Sequence, residues 1–165
     1  MFYTFVYDSP LGKITMASDG TLLTGLWFDG QKYFADNIKG KQEEKRIPVF
    51  EKTAKWLDVY FSGKEPDFIP DILITGTPFR KRVAEIMLTI PYGKTMTYGE
   101  IASIIANEKG IEKMSARAVG GAVGHNSISI IIPCHRVVGA NGSLTGYAGG
   151  IDKKIVLMNL EKNSK

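Results

Sequence analysis

The sequence predicts an α+β protein, with a small N-terminal antiparallel-sheet and helix lobe followed by a mainly helical C-terminal lobe that carries a helix-turn-helix. Three observations carry this: β-rich runs broken by turn residues at the N-terminal end, helical apolar spacing after Pro48 and after Pro78, and a segment holding Pro66, Pro70 and Gly76 between them. Phe2 to Tyr7, Lys13 to Ala17 and Leu22 to Phe28 are β-rich, and Asp8-Ser9-Pro10-Leu11-Gly12 and Asp19-Gly20 have turn chemistry, so an antiparallel meander is expected. Pro48 opens a helix in which Phe50, Ala54, Leu57 and Phe61 recur at helical intervals, and Gly63 ends it. The segment 64–76 reads as a linker, which divides the chain into a lobe of residues 1–73 and a lobe of residues 74–165.

In the second lobe Thr77-Pro78 reads as an N-cap followed by proline at the first helical position, with Val83, Ile86, Met87 and Ile90 as an apolar face. Pro91-Tyr92-Gly93 breaks that helix. Thr97-Tyr98-Gly99-Glu100 has capping-box spacing ahead of the stripe Ile101, Ile104 and Ile105. Ser115 caps a further helix from Ala116 to Gly124, and this pair is compatible with a helix-turn-helix whose connection, 107–114, is long. Ile130 to Ile132 suit a buried strand that Pro133 ends. Asp152 caps a last helix with Ile155, Leu157, Met158 and Leu160 as core.

With 165 residues, 44% hydrophobic and 23% charged, the composition is that of an ordinary globular protein. A single cysteine excludes an intramolecular disulfide, and with His125 and His135 as the two histidines a Cys/His zinc site is not expected. The opening Met-Phe-Tyr-Thr-Phe-Val-Tyr-Asp lacks the basic start and long apolar core of an export signal, and no stretch approaches transmembrane length. Together with a free thiol, this gives the expectation of a cytoplasmic protein without membrane association. Residues 1–73 carry nine Lys+Arg against eleven Asp+Glu, and residues 74–165 carry twelve against six. The basic half suits a polyanion, although solvated faces produce the same asymmetry.

The chemistry concentrates where Cys134 stands between Pro133 and His135. A free cysteine is ordinarily a small buried hydrophobe. Here proline ends an apolar run and brings Cys-His-Arg out at its terminus, with an imidazole and a guanidinium at hand to favour a thiolate. Adjacent side chains on extended backbone point to opposite faces, so pairing Cys134 with His135 requires a tight turn or a bridging water. The helix after Ser115 is nearly devoid of bulky side chains apart from Arg117, and Gly120 and Gly121 each weaken it by about 1 kcal/mol relative to alanine. Close helix packing explains such glycines as well as a slim helix lying against a DNA groove does.

Ile132-Pro133-Cys134-His135-Arg136-Val137-Val138, preceded by Ser115-Ala116-Arg117-Ala118-Val119-Gly120-Gly121-Ala122 and followed by Gly146-Tyr147-Ala148-Gly149-Gly150, resembles the O6-alkylguanine-DNA alkyltransferases, the methylated-DNA–protein-cysteine methyltransferases. The resemblance runs from Thr77 to Glu161; before Thr77 it is one of general pattern. It implies a ribonuclease H-like N-terminal lobe, no cofactor or metal, a monomer, and alkylated double-stranded DNA as partner. The implied activity is direct repair of O6-alkylguanine by irreversible single-turnover transfer of the alkyl group to Cys134; activity on O4-alkylthymine is left open by the sequence.

The resemblance also assigns roles. Glu161 orients His135, which draws the proton from Cys134; Tyr98 helps the base leave neutral; Asn126 holds the turn that positions the cysteine. Arg117 fills the gap left by a flipped nucleotide, and Ala116, Gly120, Thr97 and Arg136 face the DNA. Pro133, Val137, Tyr147, Ala148 and Gly149 form the pocket, with the Ala148 amide directed at O6. Read without it, Tyr98 is a packing residue, Asn126 a turn residue, Glu161 a solvated acid and 142–150 a flexible loop. Ser127 stands where the family commonly has proline, and Ala148 where serine also occurs. Two rivals remain: a non-enzymatic lesion-binding module, and a thiol hydrolase, for which no oxyanion hole is evident.

Overall fold

A computed structural model describes residues 1–144 and 146–163. Its N-terminal part is a four-stranded sheet in the order β3-β2-β1-β4, from β1 (Phe2–Ser9), β2 (Gly12–Ser18), β3 (Leu23–Phe28) and β4 (Gln42–Glu44). The first three form the antiparallel meander expected from their turn residues. The short strand β4, which pairs parallel to β1, was not foreseen: its Gln-Glu-Glu is fully exposed and offers no apolar alternation to read. Strand β3 is buried along its whole length. Gly25 sits in it because the Trp27 indole folds over that position, where a Cβ would lie 2.0 Å from the ring.

Helix α1 (Pro48–Phe61) packs on this sheet, but its buried side is turned from the expected one. Val49, Phe50, Thr53, Trp56, Leu57 and Tyr60 point inward, while Ala54 and Phe61 sit at the margin. The segment 64–76 is not a detached tether, because Leu23 donates to Asp71 O at 2.8 Å and accepts from the Leu73 amide at 2.8 Å.

The remaining elements are α2 (Pro78–Met87), β5 (Met96–Thr97), α3 (Tyr98–Lys109), α4 (Ala116–Gly124), β6 (Val137–Val138) and α5 (Ile151–Lys162). Thr77, Thr97 and Ser115 cap α2, α3 and α4 by accepting from the amides of Arg80, Glu100 and Ala118. Asp152 does not cap α5: Gly150 holds that place without a side-chain bond, and Asp152 lies in the first turn. One apolar core runs through both parts, joining Leu23, Phe50 and Leu57 to Val83, Ile105, Val119 and Leu157. Among the described residues no helix is long and apolar enough to cross a membrane.

Candidate active site

Strand β3 builds the platform for the cysteine. Leu26 donates to Ser127 O at 2.8 Å and accepts from the Ser129 amide at 2.9 Å, anchoring the incoming segment to the sheet. Asn126 then ties the loop into a knot. Its Oδ1 accepts from the Ile128 amide at 3.1 Å, and its Nδ2 donates to Ile132 O at 2.8 Å and Ile128 O at 3.3 Å. Ile130 is bent to φ 70°, an uncommon conformation for a β-branched residue. The strand expected at Ile130 to Ile132 is therefore absent. The run is apolar because it is buried on all sides, a pattern that strands and buried turns share.

Cys134, His135 and Arg136 form one 3₁₀ turn, after which β6 pairs parallel with β5, so the cysteine lies beside the start of α3. That turn sends the imidazole away from the chain direction of the thiol and onto α5. His135 Nε2 lies 2.6 Å from Glu161 Oε2, and both side chains are buried. A carboxylate can only accept, so Nε2 carries the ring proton and Nδ1 keeps its lone pair. Nδ1 is buried and has no hydrogen-bond partner among the described residues.

Glu161 is held from every side. Oε2 also accepts from Tyr60 at 2.6 Å and from Arg136 Nη2 at 3.1 Å, and Oε1 accepts from Arg136 Nε at 2.9 Å and the Gly93 amide at 3.0 Å. Burial works against its ionisation, but the hydrogen bonds from His135 and Arg136, the Arg136 charge and, once acid protonates the imidazole, the His135 charge bring its pKa down to about 2. Burial lowers that of His135 despite Glu161, so the imidazole is neutral and able to take a proton. Burial raises that of Cys134, partly offset by Asn126, the charge of Lys154 and Tyr147. The resting group is thus a thiol that needs a base.

Cys134 is 3% exposed and forms part of the floor of a pocket of about 750 Å³. Thr97 at the end of β5, Tyr98 from α3 and Ala116, Arg117, Gly120 and Gly121 from α4 line one side, and Tyr147 and Ala148 the other. Lys32 and Tyr33 reach in from the sheet lobe, Tyr33 stacking on His125 with ring centroids 3.8 Å apart. Close packing does not require Gly120 and Gly121 of α4. A Cβ on Gly121 would meet nothing within 4 Å, and one on Gly120 would only touch the Tyr98 ring at 3.9 Å. Arg117 stands exposed on the same face.

Three expected placements change. Arg136 does not face the pocket, because its guanidinium is committed to Glu161 and to Ile90 O at 2.7 Å. Pro133 and Val137 are buried behind the cysteine rather than lining the pocket, since the 3₁₀ turn and β6 face the core. Gly149 supports the wall from outside: a Cβ there would come within 2.9 Å of both Phe28 and Tyr147. Sequence reasoning missed Tyr60, Lys154 and Gln31, all buried around this centre. Lys154 donates to Val137 O at 2.6 Å and reaches Gly146 O at 3.4 Å, tying α5 to both flanks of the site. A polar residue on the inward face of a helix was the available signal for Tyr60 and Lys154; nothing local marked Gln31.

Residues 1–69 match the 6-O-methylguanine DNA methyltransferase, ribonuclease-like domain, and residues 78–163 match the 6-O-methylguanine DNA methyltransferase, DNA binding domain. A methylated-DNA–protein-cysteine methyltransferase of Mycobacterium tuberculosis is 42% identical over 163 residues, covering 99% of this chain and 94% of the relative. One from Haemophilus influenzae is 42% identical over 164 residues, covering 98% and 87%. The crystal structure of Mycobacterium tuberculosis OGT in complex with DNA superposes with a TM-score of 0.81 at 42% identity, covering 98% of this chain and 92% of that one. With both halves matched and near-complete overlap at this identity, the chain belongs to the 6-O-methylguanine DNA methyltransferase family.

Proposed function

We propose that the chain repairs O6-alkylguanine in duplex DNA by moving the alkyl group once and irreversibly onto Cys134. The observation that carries this reading is a sole cysteine at the floor of a pocket beside a neutral, carboxylate-oriented histidine, with an exposed arginine on a slim helix at the rim. The relatives are named for this transfer, and one of them is solved with DNA bound.

In this mechanism the duplex lies along α4, the damaged base rotates into the pocket, and Arg117 occupies the space it leaves. His135 Nδ1 takes the thiol proton through a water, while Glu161 holds the imidazole in the tautomer that leaves Nδ1 free. Sγ attacks the alkyl carbon from the side opposite O6; the S–C bond forms as the C–O bond breaks, and the electron pair leaves with the base. Tyr98 protonates the departing guanine, which in sum gains the proton the thiol lost. The resulting thioether has no ready route to hydrolysis, so each molecule acts once. Asn126 holds the cysteine loop, Thr97, Ala116 and Gly120 contact the strand, and Tyr147 and Ala148 wall the pocket. The lobe of residues 74–165 carries these contacts, with the lobe of residues 1–73 as its support. The protein works as a cytoplasmic monomer without cofactor or metal.

Mass spectrometry after incubation with duplex DNA holding O6-methylguanine tests the reading. It expects one methyl group on the peptide containing Cys134. Unmodified protein that binds the lesion tightly would point to a recognition module, and a transient acyl adduct on other substrates to a thiol hydrolase.

A further inference from the structure

Tyr60 stands in the last turn of α1, in the sheet lobe, yet its side chain is fully buried against the centre built by the other lobe. Trp56 stacks on its ring with centroids 5.3 Å apart and planes 7° from parallel, and Phe61, Tyr92 and His135 meet it edge-on. That packing sets the direction of the hydroxyl, which lies 2.6 Å from Glu161 Oε2 and 3.4 Å from His135 Nε2. A carboxylate only accepts, so the phenol donates to it. Burial and the Glu161 charge keep the phenol protonated, so this bond persists at every pH at which the protein works. The contact with Nε2 is the weaker one, because it is longer and the ring proton is committed to Oε2 at 2.6 Å.

Three donors therefore converge on Oε2: the Tyr60 hydroxyl, His135 Nε2–H and, at 3.1 Å, Arg136 Nη2. Each hydrogen bond to a charged carboxylate lowers its proton affinity, and with it the stabilisation left over for a neighbouring imidazolium. Arg136 and the Gly93 amide hold Oε1 as well, so the carboxylate would keep its place without Tyr60. Anchoring alone does not account for a phenol delivered from the other lobe. We infer that Tyr60 is a positioning residue for alkyl transfer: by taking a share of Glu161 Oε2, its hydroxyl limits how strongly that carboxylate draws the proton of Cys134 onto His135. The sheet lobe thus enters the chemistry through one hydroxyl. Its value for repair rests on the single-turnover function proposed above, since a sulfur that is spent once is better kept uncharged until a lesion arrives; stray electrophiles consume thiolate.

Around the His135–Glu161 pair stand Cys134 and Arg136 on the same turn as the imidazole, Lys154 from α5, Tyr60 from α1, Tyr92 from the turn before β5 and Tyr147 from the loop before α5. Tyr60→Phe removes one hydroxyl from this set and keeps the ring and its stack on Trp56. In the full-length chain, the pH at which His135 takes up a proton is read from its ring C–H resonances, with His125→Gln identifying the other histidine. The rate of Cys134 modification by iodoacetamide is measured beside it. Tyr60→Phe is expected to raise the His135 midpoint by about one pH unit, because the carboxylate has one donor fewer. That shift moves the thiol–imidazole pair about tenfold toward thiolate–imidazolium, while the lower proton affinity of the sulfur makes each thiolate about threefold less nucleophilic. Iodoacetamide should therefore modify the variant about threefold faster than the wild type at neutral pH, with affinity for undamaged duplex unchanged.

A tyrosine that only packs predicts the opposite sign, because a loosened centre slows the thiol. A His135 midpoint that stays or falls, or a rate of modification that does not rise, would overturn the inference. Should Tyr60→Phe fail to fold, 3-fluorotyrosine in place of Tyr60 keeps the ring and the hydroxyl but makes the phenol a stronger donor. It must lower the midpoint and slow iodoacetamide, and no decrease in either would overturn the inference equally. Both readouts work without DNA, so a wild-type chain that takes no methyl group from O6-methylguanine would refute the proposed function while these measurements still decide the role of Tyr60.

Discussion

Replacing Glu161 by glutamine tests the centre most severely, because five hydrogen bonds from four residues converge on its two oxygens. Glutamine keeps one acceptor and turns an NH₂ group toward donors. Either His135 gives up the Nε2–H tautomer or Tyr60 and Arg136 lose their partner. The folded-state pKa of about 2, against the 4.5 of a solvated glutamate, corresponds to about 3 kcal/mol of stability at neutral pH. Breaking a buried ion pair from one side independently suggests roughly 3–5 kcal/mol. Because the folded pKa is the depressed one, this contribution is complete above 4.5 and disappears as pH falls toward 2. Urea unfolding at neutral pH should show the variant less stable by about 3 kcal/mol, and its stability should fall less than that of the wild type between pH 4.5 and 2. Transfer should also slow, since a flipped tautomer protonates Nδ1 and removes the base. A difference below about 1 kcal/mol, or parallel acid profiles, would refute the picture of a carboxylate held ionised by its neighbours.

Gly121→Ala should raise stability by about 0.5–1 kcal/mol, since a methyl there meets open space in a helix, but weaken duplex binding because it thickens the face lining the pocket. Thermal melting and fluorescence anisotropy would read the two effects, and a gain in both would remove α4 from the DNA face. Arg117→Ala should slow transfer from duplex far more than reaction with free O6-benzylguanine, which leaves no gap to fill; equal losses would make Arg117 structural. Affinity for undamaged duplex should fall steeply with rising salt, as phosphate contacts release counterions, and a flat response would contradict the assignment of the basic lobe.

Where local chemistry decides an outcome, the sequence was legible. Thr77, Thr97 and Ser115 cap helices because their hydroxyls suit the free amides that follow, and no distant contact competes. Cys134, His135 and Glu161 came from a motif and a resemblance, and the structure brings the last two into contact. Helix α5 shows why the rest was hidden. Its buried residues are Lys154, Leu157 and Glu161, while Ile155 is 37% and Val156 45% exposed. A reading that sends apolar residues inward picks the wrong face when the inward one carries charges for the site. Ile130 failed for a related reason: its bend is imposed by the Asn126 hydrogen bonds and the pairing with Leu26, which lie outside its own neighbourhood. Gln31 and Tyr60 act on residues 98 and 101 positions away, and no local pattern encodes such contacts.

The central claim is that Cys134 accepts one alkyl group and keeps it. Duplex DNA with a radiolabelled methyl at O6 of guanine, given in increasing excess to a known amount of protein, measures this directly. Transfer should level off at about one methyl per chain, because a thioether offers no hydrolysable acyl carbon. Cys134→Ser should transfer nothing while binding the duplex as before, since a hydroxyl of similar size is a far poorer nucleophile. Methyl release that continues in proportion to the DNA supplied, or transfer at the wild-type level by the serine variant, would contradict the account.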